Sequence, residues 1–295
     1  MRLGLGTAQF GLDYGITNHN GMVRPEIVQK IIERVIESNK FDSIDTAIGY
    51  GRAQSLIGEY LPGTSRLKIM TKLPSYREHQ DGDAVLSVLN CDVDKSLHAL
   101  KRESIDVLYF HHSEDLLSVN GDKLFKAVLK LKETGIVKKL GVSVYDAVEI
   151  DRISDRYEVD VYQLPFNLLN PWVLNHCKIH ALRKQGAEIY VRSLFLQGVL
   201  LADPDGLSDR FKPIQPLLDQ FLERCRHAGL TKTEALWRQA YEHPSLDGVV
   251  FGVTTVDELD VHLRAIEKKF SLFEKIDFSK FSTSNKEIYD PRSWN

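Results

Sequence analysis

Asp106-Val107-Leu108-Tyr109-Phe110-His111, then Lys123-Leu124-Phe125-Lys126-Ala127-Val128-Leu129-Lys130-Leu131-Lys132-Glu133, Gly135 and Lys139-Leu140-Gly141-Val142-Ser143 decide the fold. The outer runs are short and apolar and finish on a polar residue, as buried strands do. The middle run spaces its apolar residues at a helical period and stops just before a glycine. Strand, helix and strand in that order make a crossover unit with parallel strands.

The same unit recurs in both directions. Further apolar runs are Leu3–Thr7, Ser43–Asp45, Lys68–Lys72, Val161–Leu164, Ile189–Arg192 and Gly248–Phe251, which makes eight. Helical patterns lie between them: Pro25–Ser38, with Ile27, Ile31 and Val35 on one stripe, then Ala53–Tyr60, Asp92–Lys101, Val148–Asp155, Leu174–Lys184, Pro216–His227 and Val256–Lys268. An additional helix is expected at Lys232–Tyr241. Strict alternation argues for an α/β fold, and eight parallel strands are the number that closes into a filled barrel. The expectation is a single (β/α)8 TIM barrel over residues 1–295, with 270–295 as a C-terminal tail. A doubly wound open sheet is its rival.

Composition narrows the function classes. The chain has 295 residues, 27% of them charged, and a formal charge of −3, so no basic excess exists to track a nucleic-acid backbone. The apolar runs are too short to cross a bilayer, and the N-terminus enters a strand pattern at once without a leader-like segment. Three scattered cysteines, Cys91, Cys177 and Cys225, lack metal spacing and read as reduced, buried thiols of a cytoplasmic protein.

A closed barrel predicts chemistry at the C-terminal ends of its strands. The second run ends at Asp45, the third at Lys72, the fourth at His111, the fifth at Ser143 and the seventh at Arg192, while the sixth carries Gln163. Asp45-Thr46-Ala47-Ile48-Gly49-Tyr50-Gly51 adds a tyrosine in a glycine-flanked turn. Alone, Asp45 reads as a strand-end cap and Lys72 as a solvated rim charge. Together the four side chains make a proton donor. A phenol titrates near 10, an adjacent ammonium lowers that value, a carboxylate keeps the ammonium charged, and a histidine donates to a carbonyl oxygen. The hydride that completes such a reduction must come from a cofactor. His111 and His112 are consecutive in a strand, which argues against a metal pair, and Gly4-Leu5-Gly6 is too short for a dinucleotide fingerprint.

These segments resemble the aldo-keto reductases, nicotinamide-dependent barrels with an Asp–Tyr–Lys–His tetrad. Asp45 to Gly51 matches their Asp-Thr-Ala-x-x-Tyr-Gly segment, Thr71-Lys72 their Thr-Lys strand end, and His111 their strand-four histidine. The likeness runs in order through about the first 270 residues. It implies Tyr50 as general acid/base, Lys72 and Asp45 as its tuning pair, and His111 as the group that orients the carbonyl. It places Ser143 and Gln163 at the nicotinamide carboxamide, Thr7 at the adjoining ribose, and Arg192, Ser193, Leu194, Gln197 and Gly198 along the pyrophosphate. Gly252, Thr254 and Thr255 open the last helix, a setting that favours anions. Tyr14 and His112 are expected to border the substrate.

Three positions depart from the pattern. Val144 stands where an Asn often follows the Ser. Arg192 replaces a ring-stacking Tyr, and a guanidinium can lie on a ring or bind a substrate anion. Glu258 stands near the expected 2′-phosphate, where a basic residue is usual. The resemblance implies NADP(H), with NAD(H) open because an acid suits a 2′-hydroxyl and Lys232 or Arg264 as candidate compensating bases. The expected function is hydride transfer between NAD(P)H and a small carbonyl or alcohol. The alternatives are a non-catalytic nicotinamide-binding sensor and, less favoured for want of ligands, a metal-dependent hydrolase.

Overall fold

Eight parallel strands close in sequence order into a barrel: β1 (Arg2–Gly6), β2 (Ser43–Asp45), β3 (Lys68–Leu73), β4 (Ile105–Phe110), β5 (Val137–Ser143), β6 (Val161–Pro165), β7 (Glu188–Arg192) and β8 (Gly248–Gly252). The last strand pairs back onto the first, with Gly6 opposite Gly252, which excludes the open sheet. The architecture is seen in a computed structural model that describes residues 1–78, 81–270 and 273–294.

The barrel interior is a small core of its own, formed by Met70, Val107, Tyr109, Val161, Tyr190 and Val250. Side chains alternate along a strand, so the residue two places on from each of these also faces inward. Two places on from Met70 is Lys72, from Val161 is Gln163 and from Tyr190 is Arg192. The pleat therefore carries apolar packing below and polar groups above on the same strands. Two glycines make the lower layer possible. A Cβ on Gly141 would stand 2.3 Å from the Tyr109 ring, and one on Gly248 would stand 2.4 Å from that of Tyr190. At the opposite end Glu188 pairs with Arg2 at 2.7 Å and Lys139 at 2.9 Å.

Helices wrap the outside and bury one face each. The helix Pro25–Ser38 starts on its proline and buries Val28, Ile31, Ile32 and Val35. Pro25–Ser38, Ala53–Tyr60 and Lys232–Tyr241 have the bounds expected of them. Two others differ. The helix expected at Asp92–Lys101 spans Gly82–Leu100, capped by the Asp81 carboxylate, which accepts from the N–H groups of Asp83 and Ala84. The one expected at Leu174–Lys184 begins at Cys177, after a 3₁₀ turn at Trp172–Asn175. The cysteine expectation needs correction as well: Cys225 is buried, whereas Cys91 and Cys177 are exposed on helices. Parts of the expected tail (271, 272 and 295) lie outside the described residues. The rest packs back, burying Ile276, Phe281 and Ile288. Among the described residues no helix is long and apolar enough to cross a membrane.

Candidate active site

One cavity of about 740 Å³ opens at the C-terminal ends of the strands. That volume suits a ligand of cofactor size. At its inner end lies a buried ion pair. Lys72 donates to Oδ1 of Asp45 and, at 3.1 Å, to the Thr46 carbonyl. The second carboxylate oxygen accepts from Gln163 Nε2 at 2.8 Å. Lys72 is 1% exposed, so the solvated rim charge of the single-residue reading is corrected: the inward pleat of β3 carries its head beneath the mouth. Burial lowers the lysine's affinity for its proton, and the Asp45 carboxylate opposes that shift.

Tyr50 follows in the turn after β2, and the Lys72 ammonium stands 5.4 Å from its ring centroid. The His111 ring meets Tyr50 edge-on at 5.9 Å. Burial pushes His111 down to about 2, with Lys72 adding to the effect, so the imidazole is neutral and keeps one N–H to donate. The tuning of Tyr50 runs opposite to expectation. Burial, then the Asp45 carboxylate, raises its hydroxyl above the ordinary value, and only Arg192 pulls it back appreciably. Lys72 is committed to Asp45, so its charge is largely cancelled where the phenol lies. The phenol is therefore held protonated at neutral pH.

The cavity wall contains Thr7, Tyr14, Asp45, Tyr50 and Gln163, the run Arg192 to Leu194, Gln197 and Gly198, and Gly252, Thr254 and Glu258. Lys72, His111, His112, Ser143 and Thr255 are not in that wall. Ser143 is fully buried, with Arg192 Nη2 at 3.5 Å from its hydroxyl. His112 heads the short helix Ser113–Leu116, and its ring lies 5.0 Å from that of His111. The strand ends at Phe110, so the opposed faces expected of the two histidines do not apply. No cluster of three or more His, Cys, Asp or Glu side chains able to hold a metal occurs among the described residues.

The far end of the cavity is shaped by the last helix, Val256–Ile266. Thr255 caps it, accepting from the Glu258 N–H at 3.1 Å, and the Glu258 carboxylate turns back to Thr254. The two bases considered as compensation lie elsewhere. Lys232 donates to the Ala202 carbonyl, and Arg264 lines an outer groove with Arg34 and Lys40.

Further wall residues escaped the sequence patterning. Gln9, Asn18, His19 and Asn20 come from the chain after β1, and His262 from the last helix. The loop after β1 is tied across the mouth to the loop after β7: Ile16 N–H donates to Gln197 Oε1 at 3.1 Å, and the Thr17 hydroxyl to the Gln197 carbonyl at 2.8 Å. Gly198, at φ +90°, is fixed there because a Cβ would strike the Thr17 hydroxyl. A signal for His262 was available, since it lies one helical turn beyond Glu258.

Two observations test whether a nicotinamide nucleotide suits this wall. Gln163 Oε1 and Gln9 Oε1 are buried without a hydrogen-bond partner. Such acceptors cost free energy until an N–H reaches them. Gln163 sits at the end where a carboxamide is expected, and a capped helix start lies at the other. The residues fit the group.

A model of the aldo/keto reductase family matches residues 2–277. The chain belongs to the aldo/keto reductase family. An aldo-keto reductase from Bacillus halodurans, solved in its holo form, superposes over 99% of this chain and 95% of its own, with a TM-score of 0.69 and 17% identity. A glycerol dehydrogenase from Gluconobacter oxydans covers 98% of this chain and 92% of its own, with a TM-score of 0.72 and 16% identity. Identities this low speak for the fold. No curated protein matches the chain.

Proposed function

We propose that this oxidoreductase transfers a hydride between NAD(P)H and a small carbonyl or alcohol substrate, with Tyr50 as the general acid/base. The observation that carries the reading is the buried Asp45–Lys72 pair beside Tyr50, with neutral His111 5.9 Å from the phenol ring. When bound, the dihydronicotinamide supplies the hydride that no side chain can.

The chain's own groups do the rest. His111 donates to the substrate oxygen and fixes its approach. Tyr50 keeps its proton until that oxygen gains charge, then gives it up, because an alkoxide is a far stronger base than a phenolate. Lys72 and Asp45, paired to each other, form the buried polar wall against which the phenolate forms. Ser143 and Gln163 hold the carboxamide, Thr7 the ribose, and Ser193, Leu194, Gln197 and Gly198 the pyrophosphate. Gly252, Thr254 and Thr255 border the adenosine end, and Tyr14 and His112 border the substrate. Among the described residues Arg192 is the single Arg or Lys in the cavity wall, and Glu258 faces the adenosine end, which favours NADH over NADPH. Free cysteines, two of them exposed, fit a reducing, cytoplasmic setting.

The test is titration with NADH and NADPH, followed by quenching of tryptophan fluorescence. Micromolar binding of either is expected. Tyr50→Phe should then lower kcat by about 10²–10⁴-fold with nucleotide affinity unchanged. Absence of binding to both would sink the reading. Tight binding without turnover on any carbonyl would support the sensor alternative.

A further inference from the structure

Among the described residues Arg192 carries the one charge at the inner end of the cavity that no neighbour balances. Lys72 is matched by Asp45. His111 is held neutral by burial. Arg292, brought from the tail, is matched by Asp290, whose two oxygens accept from its Nε at 3.0 Å and its Nη2 at 2.7 Å, and by Glu149 at 3.6 Å. Arg192 makes no ion pair among the described residues. Its guanidinium carbon stands 4.2 Å from the Tyr145 ring centroid, and its nearest polar contact is the long one to Ser143. Asp290 lies close enough to feel its charge, but that carboxylate is already taken by Arg292.

The direction of the side chain matters. Ser143 ends β5 and Tyr145 lies in the loop that follows, so Arg192 leans towards β5. It leans away from β8, where Gly252 to Thr255 open the last helix. Arg292 stacks on the same Tyr145 ring at 3.7 Å, so the tail backs this corner and fixes the platform on which Arg192 rests. A half-buried guanidinium that belongs to the cavity wall and rests on a fixed aromatic platform is built to take a carboxylate or phosphate.

We infer that Arg192 receives an oxyanion of the substrate, so that the carbonyl compound reduced here carries a carboxylate or a phosphate. This rests on the reductase reading of the same site and adds the substrate class. The charge lies beside Tyr50 and His111, so the anion anchors a short molecule whose carbonyl reaches the phenol. Arg192 is a specificity-determining residue on this account, and the proton chemistry stays with Tyr50.

The experiment compares matched aldehydes: butanal with 4-oxobutanoate, and glyceraldehyde with its 3-phosphate, each with the nucleotide that binds. The wild-type protein should favour one anionic member by about 10-fold or more in kcat/KM, chiefly through KM, as one charge-assisted hydrogen bond is worth. Which pair shows the preference tells carboxylate from phosphate. Arg192→Met should bring that ratio close to one, and Arg192→Lys should keep part of it. A ratio near one in the wild-type protein overturns the proposal while leaving the reductase reading intact. So does a preference that survives in Arg192→Met, or a variant that loses nucleotide affinity with the ratio unchanged.

A second arm needs no turnover. 4-Hydroxybutanoate should raise the Tm of the wild-type protein where butanol does not, and Arg192→Met should lose that shift. If no aldehyde turns over, the reductase reading falls, and this arm alone decides whether Arg192 binds an anion. An equal response to the acid and the alcohol overturns it.

Discussion

Gln163 donates its side-chain amide to Oδ2 of Asp45 at 2.8 Å, while Lys72 holds Oδ1, so one carboxylate ties β6 to β2 and β3 across the barrel mouth. With Lys72 and Asp45 almost wholly buried, water cannot replace either partner. Asp45→Asn would leave a lysine charge without its counterion and cost about 3–5 kcal/mol of stability, read as a lower urea midpoint. Adding Lys72→Met should recover much of that loss, because removing both charges of a buried pair is close to neutral. A loss below about 1 kcal/mol in the single variant would mean that solvent reaches the pair, as at exposed pairs.

Glu258 accepts from the Thr254 N–H at 2.6 Å and its hydroxyl at 2.9 Å. A carboxylate thus already sits at the start of the last helix, where the dipole favours an anion. A 2′-phosphate there would meet like charge. Glu258→Arg should raise the preference for NADPH over NADH by about 10-fold or more, the worth of one charge-assisted contact. Dissociation constants for the two nucleotides check it. An unchanged ratio would show that the adenosine end is read by other residues.

The polar rim of the barrel was legible because chemistry in such a barrel belongs at the C-terminal ends of its strands. Once eight runs were found, their ends gave Asp45, Lys72, His111, Ser143 and Arg192, with Gln163 inside the sixth. Burial was less legible, since whether Lys72 is a rim charge or a buried ion depends on how far the loops rise above it. The helix expected from Asp92 starts at Gly82, because Val85, Leu89, Val93, Ser96 and Leu100 form one buried stripe that runs through that point. Arg292 on Tyr145 joins positions far apart in sequence, and no period in the chain encodes that meeting.

Acid should weaken the fold in part through two buried imidazoles. His111 is pushed down to about 2 and His262 to about 4, both by burial, and His262 Nδ1 accepts the Trp237 indole N–H at 3.2 Å. Unfolded, each takes a proton near 6.5. Between those values the unfolded chain binds more protons, so stability rises with pH and is lost as pH falls below about 6.5. Each histidine contributes at most about 1.4 kcal/mol per pH unit to that slope. Urea unfolding at pH 7, 6 and 5 should show a shallower loss in His111→Gln than in the wild-type protein. An equal slope would mean that His111 becomes charged within the folded state.

Gly141 has room for nothing larger than hydrogen. A Cβ there would lie 2.3 Å and 2.6 Å from two carbons of the fully buried Tyr109 ring. The ring cannot retreat easily, because Met70, Val107, Val161 and Tyr190 belong to the same interior core and Lys72 lies 5.8 Å above it. Gly141→Ala should therefore cost about 1–3 kcal/mol through overpacking. The displaced ring should also disturb Lys72, so kcat should fall although no group of the proposed chemistry has been changed. Tyr109→Leu in the same background relieves the contact and should return part of the stability. If Gly141→Ala alone unfolds at the wild-type urea midpoint with unaltered kcat, the Tyr109 layer is loose, and the precise seating of Lys72 must come from Asp45 and Gln163 instead.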